Sequence, residues 1–149
     1  MASGEFTSEL CEQLHATSKY VASSLKWKRS SAGTVLLQAA VLTEDGSGLD
    51  LVGYWVKVAK HSLPRWGFSL RYMGHCIRSY DMAASHKNPH EPGRIKGPHK
   101  HKFSSSKIPR YAYKPNPPIS ENDPNQALID FLRESNIQLR QAYQSFMFS

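Results

Sequence analysis

Histidine and basic side chains are concentrated between residues 71 and 103, and these are the side chains best suited to acid–base and phosphate chemistry. Five of the chain's seven histidines and seven of its Lys and Arg residues fall there, beside only two carboxylates, Asp81 and Glu91. Histidine titrates near neutral pH, whereas lysine and arginine attract anions. The segment therefore predicts catalysis, polyanion binding, or both.

His99 and His101 are the strongest candidates for paired proton transfer. They are two residues apart on a predicted strand, so they point to one side with about 7 Å between their Cα atoms. Metal-independent RNA cleavage needs a general base, a general acid and a cation that neutralises developing charge. The histidines can supply base and acid, Arg78 or Arg71 the cation, and Tyr80 a proton or a stacking surface. The predicted catalytic set is His99, His101, Arg78, Tyr80 and Asp81.

The same two histidines and Asp81 could instead ligate a divalent metal. Their spacing matches no dedicated zinc motif, and no thiolate is close in sequence. We therefore expect no bound metal and no cofactor. A purely structural alternative stays open, in which Arg78 pairs with Asp81 and the histidines hydrogen-bond loop backbone.

Positive charge forms one local field. Residues 60–114 hold 12 basic and 2 acidic side chains, net +10, so the rest of the chain sums to −3 against the overall +7. Such a field favours an anionic partner, which is either nucleic acid, with RNA preferred over DNA, or an acidic protein. Eight side chains are predicted to contact phosphate: Arg71, His86, Lys87, His90, Arg94, Lys96, Lys100 and Lys102. An alternative for Lys100 and Lys102, which alternate with the histidines, is a merely solvated strand face.

Two amphipathic helices are predicted near the ends of the chain. The first runs over residues 8–25 with Ser8 as its cap, because apolar positions recur at helical spacing. The second begins at Asp123, with Pro124 at the first helical position and Gln126 completing a capping box. Its apolar stripe extends as far as Phe146.

Between the helices the pattern predicts an antiparallel meander of about five strands. Residues 34–42 and 51–59 flank a glycine-rich turn, as in a hairpin. Further strands are predicted over residues 66–73, 76–80 and 99–103, and residues 82–98 read as a long surface loop. We expect a single α+β domain over residues 1–149, with both helices packed on the sheet and residues 1–7 disordered.

Several classes of protein are disfavoured by composition. The chain of 149 residues is 40% hydrophobic and 21% charged, as expected for one ordinary globular domain. No apolar run is long enough to cross a bilayer, and no secretory signal is seen at the N-terminus. We therefore expect a cytoplasmic location without membrane association.

The residues described above resemble a known family. Residues 78–81 (Arg-Ser-Tyr-Asp), a polar loop with His86, a Lys/Gly/His-rich return over residues 96–101 and a helix containing Phe131 and Leu132 are similar to the TumE family of small toxins from toxin–antitoxin modules. Related small bacterial proteins share a His-Asn-Pro step, here with Lys87 inserted, and a His-x-His strand. The resemblance covers residues 68–137, while the N-terminal helix and the longer loop depart from it.

Two functional hypotheses follow. The resemblance implies a bacterial or phage-related protein with an antitoxin as a candidate partner. Together with the charge, it favours a toxin-like nucleic-acid-binding protein that acts as a metal-independent ribonuclease. The alternative is a non-catalytic module for RNA, DNA or a protein partner such as an antitoxin or defence-system component. A homodimer is compatible with either hypothesis.

Overall fold

The computed structural model describes residues 6–30, 33–57, 63–81, 85–86, 95–96, 99–102, 111–116 and 118–148. These residues form an α+β fold with two helices on a large, mostly antiparallel sheet. The elements in chain order are α1 (Ser8–Ala16), β1 (Lys19–Val21), β2 (Trp27–Arg29), β3 (Thr34–Thr43), β4 (Gly48–Val56), β5 (Arg65–Tyr72), β6 (His75–Asp81), β7 (Ser85–His86), β8 (Ile95–Lys96), β9 (His99–Lys102), β10 (Tyr111–Tyr113), α2 (Pro124–Glu134) and β11 (Ile137–Leu139).

The predicted meander is confirmed at the centre of a larger sheet. Strands β3, β4, β5 and β6 are joined in sequence by antiparallel pairing, and β9 pairs with β6. The described sheet has nine strands rather than about five, in the order β10-β9-β6-β5-β4-β3-β1-β11 with β2 also on β3. Each added strand, β1, β2, β10 and β11, is only three residues long, too short to show a periodic pattern.

Both helices are shorter than predicted. Helix α1 is capped by Thr7, not Ser8, and ends at Ala16. The ammonium of buried Lys19 then donates to the carbonyl oxygens of Leu14, His15 and Thr17 at 2.6–2.8 Å. Because these carbonyls lie at the negative end of the helix, one lysine satisfies groups that a longer helix would have bonded internally.

Helix α2 begins as predicted, with the Asp123 side chain accepting from the Asn125 N–H and Pro124 in the first turn. Gln126 does not complete a capping box, because its amide donates to Asp130 Oδ1 at 2.9 Å. The helix ends at Glu134, and Asn136 adopts a left-handed backbone with φ of 56°. Residues 137–139 therefore leave the helix and form β11.

One face of the sheet carries the core, and we call it the helix face. Side chains such as Leu37, Leu51, Phe68 and Leu70 pack there against α1 and α2. The residues between them along the strands lie on the opposite side, which we call the second face: Lys28, Leu36, Gln38, Val52, Tyr54, Arg65, Ser69, Arg71, Ser79, Asp81 and His101. Neither helix of the described chain is long and apolar enough to span a membrane.

The segment after β11 packs against the core instead of extending α2. Tyr143 accepts a hydrogen bond from the Trp27 indole at 2.9 Å, and the Asn125 amide donates to the Phe146 carbonyl at 2.9 Å. The Phe148 ring lies 5.0 Å from that of Trp27. Tyr143 and Phe146 were predicted to continue the helical stripe, but they lie half-buried in an irregular segment that packs against the core.

The predicted N-terminal disorder and the surface loop fall only partly on described residues. Phe6 stacks on His75 with ring centroids 4.1 Å apart, and Thr7 caps α1, while residues 1–5 lie outside the described part of the chain. Within residues 82–98, β7 and β8 pair with each other as a separate two-stranded ladder. The segment predicted as a surface loop therefore contains a short two-stranded ladder among its described residues.

Gly67 is required by a close approach within the sheet. A Cβ atom there would lie 2.5 Å from the Tyr80 carbonyl oxygen and 2.9 Å from Tyr54 Cε1. We expect Gly67→Ala to lower the free energy of unfolding by about 1–3 kcal/mol, measured by urea denaturation. Gly48→Ala is the matched control, because nothing lies within 4 Å of its added Cβ. Equal stability of the two variants would contradict the steric explanation.

Candidate functional site

The pairing of β6 with β9 separates the predicted catalytic residues. Ser79 is opposite His101 and Tyr80 is opposite Lys100 in an antiparallel register. Residues directly opposite each other share a face, and neighbours along a strand alternate. Tyr80 and Arg78 therefore lie on the helix face, whereas Ser79 and His101 lie on the second face. The predicted grouping of His101 with Arg78 and Tyr80 is not assembled.

Arg78 and Tyr80 are buried and bonded internally. The Arg78 guanidinium donates to Glu12 Oε1 at 3.0 Å and to the Tyr113 hydroxyl at 3.1 Å. The Tyr80 hydroxyl donates to the Ser120 carbonyl at 3.1 Å, and burial raises the pKa of Tyr80. The predicted cation, Arg78, and the predicted proton donor or stacking residue, Tyr80, are thus both engaged by other groups of the protein.

Lys100, predicted to bind phosphate, is also buried, with no exposed surface. Its ammonium forms an ion pair with the Glu134 carboxylate, donates to Ser135 Oγ at 3.0 Å and lies 4.5 Å from the centroid of the Phe131 ring. Burial lowers the pKa of Lys100 from 10.5 to about 8, although Glu134 opposes the effect. Lys100 is therefore a structural cation and does not face an external anion.

His15 completes this arrangement on the side of α1. Its Nε2 atom is 3.2 Å from Glu134 Oε2, and burial lowers the pKa of His15 from 6.5 to about 4. The ring is therefore neutral at pH 7, and the tautomer that carries hydrogen on Nε2 can donate it to the carboxylate. Burial alone would raise the pKa of Glu134, but the bond from His15 and the charge of Lys100 together lower it.

We call this set the buried polar cluster: His15, Arg78, Lys100, Tyr113 and Glu134, with the exposed carboxylate of Glu12 paired to Arg78 at its edge. Tyr113 links its two halves, because it accepts from Arg78 and donates to Glu134 Oε1 at 3.3 Å. Sequence reasoning missed His15 and Glu134, which lie 85 and 34 residues from Lys100. One signal was available, since a carboxylate in the last turn of a helix is unfavourable unless a cation compensates it.

Of the remaining members of the predicted catalytic set, Asp81 and His101 lie on the second face. The Tyr54 hydroxyl donates to Asp81 Oδ1 at 3.1 Å, and Tyr54 passes over Gly67 to reach it. His101 is 4% exposed, and its Nδ1 lies 3.4 Å from Ser79 Oγ. His99 is opposite Asp81 in the strand register.

The residues predicted to contact phosphate do not lie together on one face of the sheet. Arg71 lies half-buried on the second face and donates to the Gly74 carbonyl at 2.8 Å. Lys102 is on the helix face, with its ammonium 3.7 Å from Glu12 Oε1. His86 and Lys96 belong to the small β7–β8 ladder. Lys87, His90 and Arg94 lie outside the described residues.

A groove at the edge of β3 was not predicted. Strand β2 pairs with β3 at residues 35–37 and β1 pairs with it at residues 42–43, which leaves residues 38–41 between the two short strands. The groove there has a volume of about 580 Å³. Lys26 and Lys28 line it together with Leu36 and Gln38, and Leu36 is 46% exposed. Basic side chains thus flank an accessible apolar surface, and the exposed carboxylate of Asp50 also lines the groove.

Comparison of the chain with family models, curated proteins and solved structures found no match. The resemblance to the TumE family therefore stays a prediction from the sequence. Within the described ranges, no group of three or more His, Cys, Asp or Glu side chains is placed to hold a metal ion.

Proposed function

We propose that the protein binds single-stranded RNA through the second face of its sheet and the adjoining groove, as a non-catalytic module. The observation that carries the proposal is the division of the basic residues by the sheet. Arg78 and Lys100 are consumed by the buried polar cluster, whereas Lys28, Arg65 and Arg71 lie on the second face. Lys28 and Arg65 are therefore on the opposite side of the sheet from the predicted catalytic arginine.

The groove suits a nucleotide in size and chemistry. Its volume of about 580 Å³ is in the range of small-molecule sites. Lysines at the rim attract phosphate without selecting a sequence, and the exposed Leu36 side chain provides an apolar surface for a base. Duplex nucleic acid does not present bases in this way, so a single strand is the better fit.

The second face can continue the path of such a strand. Lys28, Tyr54 and Arg65 belong to β2, β4 and β5, which follow one another across the sheet with β3 between the first two. Adjacent strands are about 4.8 Å apart, so these side chains span the reach of a few nucleotides. The Tyr54 ring is half-buried and offers a face for stacking. Two carboxylates lie along this path. Asp50 is exposed, and Asp81 accepts a hydrogen bond from the Tyr54 hydroxyl.

The test is fluorescence anisotropy of a labelled single-stranded RNA of mixed sequence, titrated with the protein at several salt concentrations. We expect the affinity to fall steeply as salt rises, because phosphate contacts release counterions. The double variant Lys28→Glu/Arg65→Glu should bind about tenfold more weakly or worse, with a shallower salt dependence. The RNA should be recovered intact.

Lys114→Glu is the matched control, since exposed Lys114 follows β10 at the far end of the sheet from β2. It changes the net charge by −2, against −4 for the double variant, and should keep most of the affinity. A loss of binding free energy in the control half as large as that in the double variant would leave only a general effect of net charge. Tighter binding of the matching DNA would contradict the choice of RNA, and cleaved RNA would contradict a non-catalytic module.

A further inference from the structure

The outer edge of β11 carries no paired strand among the described residues. Strand β11 ends the main sheet, and among the described residues its pairing partner is β1 alone. The parallel ladder uses the Asn136 carbonyl, which accepts from Lys19, and the Arg140 N–H, which donates to Val21. Because backbone groups alternate along a strand, the N–H and C=O groups of Ile137 and Leu139 point away from β1. This edge offers hydrogen bonds to a further strand.

A groove lies directly beside this edge. It has a volume of about 370 Å³ and runs between α2 and β11. Its apolar walls come from four side chains: Ile129, Leu132, Ile137 and Leu139. An extended chain paired with β11 would place alternate side chains towards this groove, as in known cases of strand addition.

The accessible charges around the edge are positive. Arg133 lines the groove and is exposed, and exposed Arg140 follows β11 directly. The Arg140 guanidinium is held 3.6 Å from the centroid of the Tyr20 ring. The nearby carboxylates of Glu134 and Asp130 are turned to interior partners, Lys100 and the Ser120 N–H. A second copy of this chain would bring four arginines to one edge, whereas an acidic segment would complement them.

We propose that the edge of β11 and its groove bind an extended peptide segment of a partner protein, in which apolar and acidic residues alternate. The backbone of the peptide pairs with Ile137 and Leu139, its apolar side chains enter the groove, and its carboxylates, on the opposite side of the added strand, meet Arg140. This site is separate from the proposed RNA surface, so either proposal can fail without the other.

The probe is a fluorescein-labelled peptide of about six residues with alternating valine and glutamate, a length typical of a single strand. Matched probes replace glutamate by lysine, or carry N-methyl groups on the amides that would pair with β11. We expect binding of the glutamate peptide and loss of binding for both matched probes. Arg140→Glu should weaken binding about fivefold or more, whereas Lys114→Glu, at the opposite end of the sheet, should not.

Amide hydrogen exchange locates the contact without any protein variant. The glutamate peptide should slow exchange at Ile137 and Leu139, while Gln138, whose N–H points to β1 in the ladder, should change little. Equal binding of the glutamate and lysine peptides would overturn the proposal, as would protection at residues remote from β11. A dimer of the protein that protects Ile137 and Leu139 without peptide would also overturn it, because a second copy would then be the occupant.

Discussion

Lys100→Met is expected to lower the free energy of unfolding by about 3–5 kcal/mol, because it leaves the buried Glu134 carboxylate without its cation. Methionine fills similar space, so lost packing contributes little. The variant also removes the donor to Ser135 Oγ. Urea denaturation followed by circular dichroism measures the change, with an unaltered slope showing that the unfolding transition itself is preserved.

Two comparisons make this expectation specific. Lys102→Met changes a lysine on the same face of the same strand, but that side chain is 34% exposed, so its loss should cost less than about 1 kcal/mol. The double variant Lys100→Met/Glu134→Gln should recover much of the loss, because removing both charges of a buried pair is often nearly neutral. If the double variant loses as much free energy of unfolding as the two single variants together, the broken ion pair is not the cause of the destabilisation.

Acid is expected to destabilise the protein through His15. The unfolded chain protonates this histidine near pH 6.5, whereas the folded protein takes up the proton only near pH 4. Between these values the unfolded state binds more protons, so the free energy of unfolding falls as pH decreases, by about 3 kcal/mol from this one group. The lowered pKa of Glu134 acts in the same direction, below the ordinary value of 4.5.

Urea denaturation at a series of pH values across this window, with His15→Gln as the comparison, measures the contribution. Glutamine keeps an N–H for Glu134 but does not titrate, so the fall in stability above pH 4.5 should be much smaller in the variant. His75→Gln, at an exposed histidine beside the β5–β6 turn, should keep the fall seen in the unsubstituted protein. Identical pH profiles for the unsubstituted protein and His15→Gln would show that other groups are responsible.

The end of α2 shows how a local pattern can mislead. Leu139 and Tyr143 fit the helical stripe begun by Leu128, which is why the helix was predicted to continue. At the intervening turn the chain has Ser135 and Asn136, polar residues where the stripe needs apolar ones, and asparagine tolerates the left-handed backbone that ends a helix. The end of the helix could therefore be predicted from the sequence. The pairing of β11 with β1 could not, since it joins residues far apart in the chain.

The sequence by itself determined the α+β class, the central meander, the Asp123 cap and the concentration of charge between residues 60 and 114. These properties depend on residues that are close together in the chain, namely alternating apolar and polar residues, turn-forming residues and a run of basic residues. The tertiary structure alone decided which of those basic side chains reach solvent. Alternation places Lys100 and His101 on opposite faces, but only the register of β9 against β6 sets which face meets the helices. That register buried Arg78 and Lys100 among residues of α1 and α2, and so divided the predicted catalytic set.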